Sequence, residues 1–286
     1  MSKFLKGLLV FLPVMAFLIS CTTKHNNKPT ITVSIAPERF FVERIAGKGY
    51  EVNVLVPKDA NPEMYDPTPR DIAAIAHSDV YFYMGSLAFE HVWLQAIKEQ
   101  NADITCVDIS KYLPPMKHVC VHKDGHVHGD PHFWSSIMGA KAISRGIYEK
   151  LIEMYPHDTQ LFESNYNELL TEIEALEAEC QAVFENVKQR VFIIYHPSLS
   201  YFADEWHLEQ RAIEKDGKEP TPAHLAELIA KAKADDVRLV FIQEEFDIKN
   251  AEIVAREIGA KTVTIRPLDE DWVGQIRLLI SAFASL

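Results

Sequence analysis

Between Phe162 and Val187, the apolar residues Phe162, Tyr166, Leu169, Leu170, Ile173, Leu176, Cys180, Val183, Phe184 and Val187 recur at steps of three and four, with no glycine or proline among them. Side chains spaced this way fall on one stripe of an α-helix. The spacing predicts a single amphipathic helix of about 30 residues over 157–189, far longer than the ~11–12-residue average. Such an element reads as a rigid connection running from one half of the chain to the other. A coiled-coil segment is the competing reading, but its seam is short for an oligomer.

Strand and helix patterns alternate on both sides of that helix. Before it, strand-like runs at Thr30–Ala36, Tyr50–Val56, Asp79–Gly85 and Ala102–Asp108 are separated by helical patterns. A further helix is predicted over about Ser135–Tyr155. After it come strands at Val191–Tyr195, Leu208–Ile213, Arg238–Ile242 and Lys261–Ile265, again with helices between. Repeated βα order predicts parallel sheets covered by helices. The expected fold class is therefore α/β: two Rossmann-like lobes with parallel sheets, joined by one long helix. The lobes are placed at 29–156 and 190–286, with the linker helix at 157–189. Thr68-Pro69 and Thr221-Pro222 both carry helix-start chemistry, a capping hydroxyl followed by proline. The repetition fits either two similar lobes or simply two good helix starts.

The N-terminus reads as a targeting segment. Lys3 and Lys6 precede an apolar run, Leu8–Ile19, that is too short to span a bilayer. Leu18-Ile19-Ser20-Cys21 resembles a bacterial lipobox, which implies cleavage before Cys21, lipid attachment to it, and a short tether at 21–28. An ordinary signal peptide is the plainer alternative. Removing residues 1–20 takes Lys3 and Lys6 away, leaves 266 of the 286 residues and moves the formal charge from −12 to −14. An acidic chain without a basic stripe argues against nucleic acid as partner. Of the remaining cysteines, Cys180 falls on the apolar stripe of the long helix. Cys106 and Cys120 could form a bridge, or Cys120 could serve as a soft metal ligand.

Five of the twelve histidines lie between His118 and His132. His118, His122, His126 and His128 sit in a polar run that reads as a loop holding metal loosely. His132 follows Asp130-Pro131 and leads into Phe133-Trp134, at the mouth of a helix, where a ligand could be held in place. In open α/β sheets, ligands bind beyond the carboxyl ends of the strands. Glu63 follows one predicted strand, His132 lies in the connection after another, and His196 immediately follows a third. Glu63 and His132 belong to the first lobe and His196 to the second, so a site made from them would lie between the lobes. Two imidazoles and a carboxylate suit Zn²⁺, and added carboxylate would make Mn²⁺ or Fe²⁺ reasonable. Taken singly, each residue has an ordinary structural reading, and their joint placement carries the inference.

With those residues in view, the chain resembles the metal-binding lipoprotein components of ABC importers for zinc and manganese. The matching motifs are Ala60–Pro69, Gly129–Trp134, Tyr195-His196-Pro197, Lys218–Pro222 and the strand end at Phe241–Phe246. The resemblance implies two α/β lobes joined by a long helix, an extracytoplasmic location, a membrane permease as partner and a divalent cation, foremost Zn²⁺, as cargo. Two departures stand out. Glu63 occupies a position that is usually histidine in the family. Arg266-Pro267-Leu268 stands where the family often has Asp-Pro-Leu, whose aspartate is a fourth ligand. Arginine cannot ligate a cation. Asp269, Glu244 or water would then complete the set, or Arg266 would pair with a nearby carboxylate. A zinc-dependent hydrolase is the rival reading, because two histidines and a carboxylate also make catalytic sites. No His-Glu-x-x-His pattern supports it. A surface adhesin is a third reading, supported only by the anchor.

Overall fold

The computed structural model describes residues 28–58, 60–114, 130–214, 217–244, 246 and 248–286, with backbone alone at 120, 121, 127 and 128. The leader, Cys21, most of the tether, His118, His122, His126 and Glu245 lie outside the described residues, as do the side chains of Cys120 and His128. Chain order in the first lobe is β1 (Thr30–Val33), α1 (Ala36–Ala46), β2 (Glu51–Val54), α2 (Pro69–Ala76), β3 (Val80–Tyr83), α3 (Ala88–Gln100) and β4 (Thr105–Asp108). A short hairpin follows, β5 (Cys120–Val121) with β6 (Val127–His128), and then α4 (Ile137–Met154). The long helix is α5 (Thr159–Phe184). The second lobe contains β7 (Val191–Ile194), α6 (Ser200–Glu205), β8 (Glu209–Ala212), α7 (Pro222–Ala234), β9 (Leu239–Gln243), α8 (Ile248–Ile258), β10 (Lys261–Ile265) and α9 (Trp272–Ala284).

Both four-stranded sheets are wholly parallel, in the orders β2-β1-β3-β4 and β10-β9-β7-β8. The predicted α/β class and the long connecting helix are both present. α5 is nevertheless shorter than the 157–189 span expected from the apolar stripe. Pro156–Asp158 forms a separate 3₁₀ turn. At the other end, the Arg190 guanidinium donates to the carbonyls of Phe184 and Trp206, closing the last turn before Val187. Thr68 and Thr221 both act as N-caps, accepting from the backbone N–H of Asp71 and His224. The hydroxyls satisfy donors that the first turn leaves open.

The apolar stripe of α5 buries Phe162, Leu169, Ile173, Leu176, Cys180 and Phe184. Each fully buried apolar side chain stabilises by about 1.5–3 kcal/mol. This face packs on α1 and α4 of the first lobe and on α9 of the second, so one apolar core runs through both lobes. Trp272 of α9 reaches into the first lobe, with its ring 5.3 Å from that of Phe41. Its indole N–H donates to the Trp134 carbonyl at 2.7 Å, and the Trp134 indole donates to the Pro267 carbonyl at 2.9 Å. These contacts join the two lobes directly.

A carboxylate crosses the lobe boundary as well. Glu205 of α6 accepts from the backbone N–H groups of Ile137 (3.0 Å) and Met138 (2.8 Å), so a residue of the second lobe caps α4 of the first. Burial pushes its pKa up to about 7. The folded state thus holds this proton more tightly than the unfolded chain does, and the group's contribution to stability falls as pH rises from about 4.5 to about 7. The Glu205→Gln variant is expected to show a flatter dependence of Tm on pH across that window, with some slope remaining because burial also pushes Glu90 to about 7. Thermal melts between about pH 5 and about pH 8 check this, and identical slopes would contradict it.

Candidate metal centre

Glu63, His132 and His196 come together between the lobes, with a ligand-competent atom of each within 4.8 Å of the others. The Nε2 atoms of His132 and His196 are 3.1 Å apart. Glu63 Oε2 lies 3.4 Å from His196 Nε2, and Glu63 Oε1 lies 3.8 Å from His132 Nε2. Metal–donor bonds of about 2.0–2.1 Å in a tetrahedral arrangement separate the donors by about 3.3 Å. The spacing therefore suits a first-row cation without rearrangement of either histidine.

Each side chain is placed by a different device. Glu63 lies on the connection between β2 and α2, in a turn where the Asn61 side-chain oxygen accepts the Glu63 N–H at 2.9 Å. Its side chain is one-third exposed, whereas both histidines are buried, so Glu63 faces the entrance. His132 opens a 3₁₀ turn, His132–Ser135, ahead of α4. It stands ahead of the helix and leaves the capping of α4 to a later residue. Ser136 is the N-cap, and its hydroxyl accepts from Gly139 N–H at 3.0 Å. Gly139 lets the turn pack down on α4, because a Cβ there would sit 1.7 Å from the Phe133 carbonyl oxygen. His196 follows β7 and stacks on Phe246, with ring centroids 4.9 Å apart and planes at 18°.

Carboxylates stand behind both rings. Asp130 Oδ1 accepts from His132 Nδ1 at 2.8 Å and from its backbone N–H at 2.9 Å. Burial acts to raise the Asp130 pKa, but these hydrogen bonds and the nearby imidazole outweigh it, and the carboxyl sits below its ordinary value. Glu214 Oε1 lies 2.9 Å from His196 Nδ1. For His196, burial acts to lower the pKa, while the hydrogen bond to Glu214 and the charges of Glu63, Glu214 and Asp130 outweigh it, so the net shift is upward. With both Nδ1 atoms turned backward onto carboxylates, the two Nε2 atoms face the same point. Two nitrogens and one carboxylate facing a common point make a candidate cation site.

Gln243, at the end of β9, accepts the His196 backbone N–H through Oε1 (2.9 Å) and donates through Nε2 to Ser198 Oγ (2.9 Å). Gln243 and Glu214 both escaped the sequence reading. The available signal was that Gln243 ends β9 and Glu214 lies two residues past β8, both strands neighbouring the one that leads into His196.

Arg266 resolves into a carboxylate pair. Its Nε and Nη2 donate to Glu244 Oε2 and Oε1 at 2.7 and 2.9 Å. The bidentate bond holds the Glu244 pKa below its ordinary value. Asp269 Oδ1 accepts from the Asp271 N–H. Among the described residues, the group able to hold a metal contains neither Glu244 nor Asp269. Cys180 is buried in the core, as its place on the stripe predicted, and Cys106 is half-buried on β4.

Residues 31–284 match the family described as zinc-uptake complex component A, periplasmic. The chain is 26% identical over 290 residues to the high-affinity zinc uptake system protein ZnuA of Bacillus subtilis (strain 168), covering 94% of this chain and 90% of that one. It is also 26% identical over 267 residues to the zinc-binding lipoprotein AdcA of Streptococcus pneumoniae serotype 4 (strain ATCC BAA-334 / TIGR4). That match covers 88% of this chain but 53% of AdcA, so the chain spans about half the length of that relative. A solved crystal structure of ZnuA superposes with a TM-score of 0.82 at 33% identity, covering 91% of this chain and 99% of that one.

Because Arg266 already occupies Glu244, removing that carboxylate should matter little to cation binding. The Glu244→Ala variant is expected to bind a divalent cation within about threefold of the parent protein in calorimetry, a change below about 0.7 kcal/mol. A loss of tenfold or more that persists when Arg266 is also replaced by alanine, so that no unmatched guanidinium remains, would place Glu244 among the ligands.

Proposed function

Because the chain belongs to the family of periplasmic zinc-uptake complex component A proteins, we propose that it captures Zn²⁺ as cargo through Glu63, His132 and His196 and hands it to the permease of an ABC importer. The observation that carries this reading is the convergence of two Nε2 atoms 3.1 Å apart, one from each lobe, on the Glu63 carboxylate. The donor set favours zinc over harder ions, since imidazole suits zinc and manganese prefers oxygen. The two neutral rings leave the charge of the ion to be balanced by Glu63, with Asp130 and Glu214 contributing from behind.

Capture in this reading needs little movement of the lobes. Their shared core and the crossed tryptophan hydrogen bonds already hold His132 and His196 at ligand spacing. Glu63 is the more exposed ligand and sits on a connection rather than in a helix or strand. It is therefore the group that admits and releases the ion, and the modest lobe closure expected of a binding protein gives way to movement at Glu63.

The zinc-binding lipoprotein name of one relative and the Leu18–Cys21 segment support a second element of the proposal: the mature chain is held at the membrane by lipid on Cys21. Among the described residues, no helix is long and apolar enough to cross a membrane. Mass spectrometry of the mature N-terminus is expected to find a lipid-modified Cys21, and an unmodified peptide running through that residue would refute the anchor.

His132→Ala and His196→Ala are each expected to weaken Zn²⁺ binding by about a hundredfold or more, equivalent to roughly 2.8 kcal/mol. Isothermal calorimetry with Mn²⁺ as competitor measures this. Unchanged affinity in both variants would remove the site, and retention of Mn²⁺ against Zn²⁺ would reassign the cargo.

A further inference from the structure

The register of the second sheet places a residue of the sequence where no motif pointed. β7 and β8 run parallel, with Ile194 opposite Ala212. β7 and β9 run parallel, with Ile194 opposite Phe241. Extending both pairings two residues beyond the strand ends sets His196 between Glu214 and Gln243. The backbone carries the extension, since Ile213 N–H and Glu214 N–H both donate to the Tyr195 carbonyl, at 3.2 and 3.1 Å. Gln243 then takes the His196 backbone N–H, while Glu214 takes the ring. The Glu214 side chain is 9% exposed, so water competes little for that bond.

We infer that Glu214 is a positioning residue for metal capture: by accepting the Nδ1 proton of His196 it fixes the tautomer and ring orientation that aim Nε2 at the cation. This rests on the zinc-site reading above. A neutral imidazole has one donor and one acceptor nitrogen, and the hydrogen bond at one decides which is the other. Phe246 stacks on the His196 ring but cannot distinguish its two nitrogens. Gln243 holds the backbone and leaves the ring free to turn. Glu214 supplies the selection. It stands to His196 as Asp130 stands to His132, at 2.9 and 2.8 Å, although Asp130 is two residues from its histidine and Glu214 is eighteen from its own. The second lobe therefore uses strand pairing to supply what the first lobe supplies within one turn.

The test combines zinc titration with nitrogen-15 NMR of the histidine rings in metal-free mature protein, for Glu214→Ala, Glu214→Gln and Glu214→Asp. Glu214→Ala is expected to weaken Zn²⁺ binding about 10–100-fold, the usual effect of losing such a partner. His196 should become a mixture of tautomers, while His132 keeps its Nδ1–H form. Glu214→Gln keeps an acceptor oxygen and should retain the tautomer and most of the affinity. Glu214→Asp draws the acceptor back and should fall between the two. Zinc affinity within about twofold of the parent in Glu214→Ala would overturn the assignment. So would weakened binding with the His196 tautomer unchanged, which is what a purely structural role predicts. If Glu214→Ala does not fold, the Gln and Asp variants decide, and equal affinity and tautomer in Glu214→Asp and the parent would overturn it. His196→Ala run in parallel separates the two readings. Wild-type affinity there removes the site itself, whereas lost affinity there with none lost in Glu214→Ala removes only the role of Glu214.

Discussion

Two imidazoles from different lobes meet at 3.1 Å, and that meeting depends on how the lobes are held. A shift of an ångström between them would spoil the candidate three-residue site, since metal–donor bonds of about 2 Å tolerate little displacement. The apolar face of α5 prevents such a shift by packing on α1, α4 and α9 at once. Trp272 adds a side chain from the second lobe to the core of the first, and the two indole N–H groups are satisfied across the boundary. Close-packed interiors resist continuous deformation. Ligand geometry thus follows from the core more than from the loops around the site.

Within that frame, charge is arranged in layers. The innermost layer is the two Nε2 atoms of His132 and His196 and the Glu63 carboxylate. Behind it, Asp130 and Glu214 each take a ring N–H. Beyond the ligand set, Arg266 and Glu244 pair with each other, so the arginine that stands where the related importers often carry a ligand has its charge matched by a carboxylate.

Much of this was readable in the chain itself. Apolar spacing disclosed α5, alternation disclosed eight strands, and the two Thr-Pro pairs disclosed the starts of α2 and α7. These are local properties, set by side chains a few residues apart. Strand and helix ends were less legible. The Arg190 hydrogen bonds that close α5 come from a residue beyond its end, and the separate 3₁₀ turn of His132–Ser135 depends on Gly139 admitting the Phe133 carbonyl. Glu63, His132 and His196 could be nominated because each follows a strand, and ligands gather at strand ends in this class of fold. Glu214 and Gln243 could not, because their importance comes from the neighbouring strand rather than from any residue near them in sequence.

The sequence by itself determined the alternation of strand and helix, the two-lobe α/β class, the long helix between the lobes and the residue types able to hold a cation. Short-range periodicity and capping chemistry suffice for those. Only the tertiary structure decided strand order, the register that sets Glu214 and Gln243 on either side of His196, the pairing of Arg266 with Glu244 and the 3.1 Å approach of two histidines 64 residues apart. Those features arise where parallel strands pair and two lobes share a core, and such contacts are set by the packing of the whole chain.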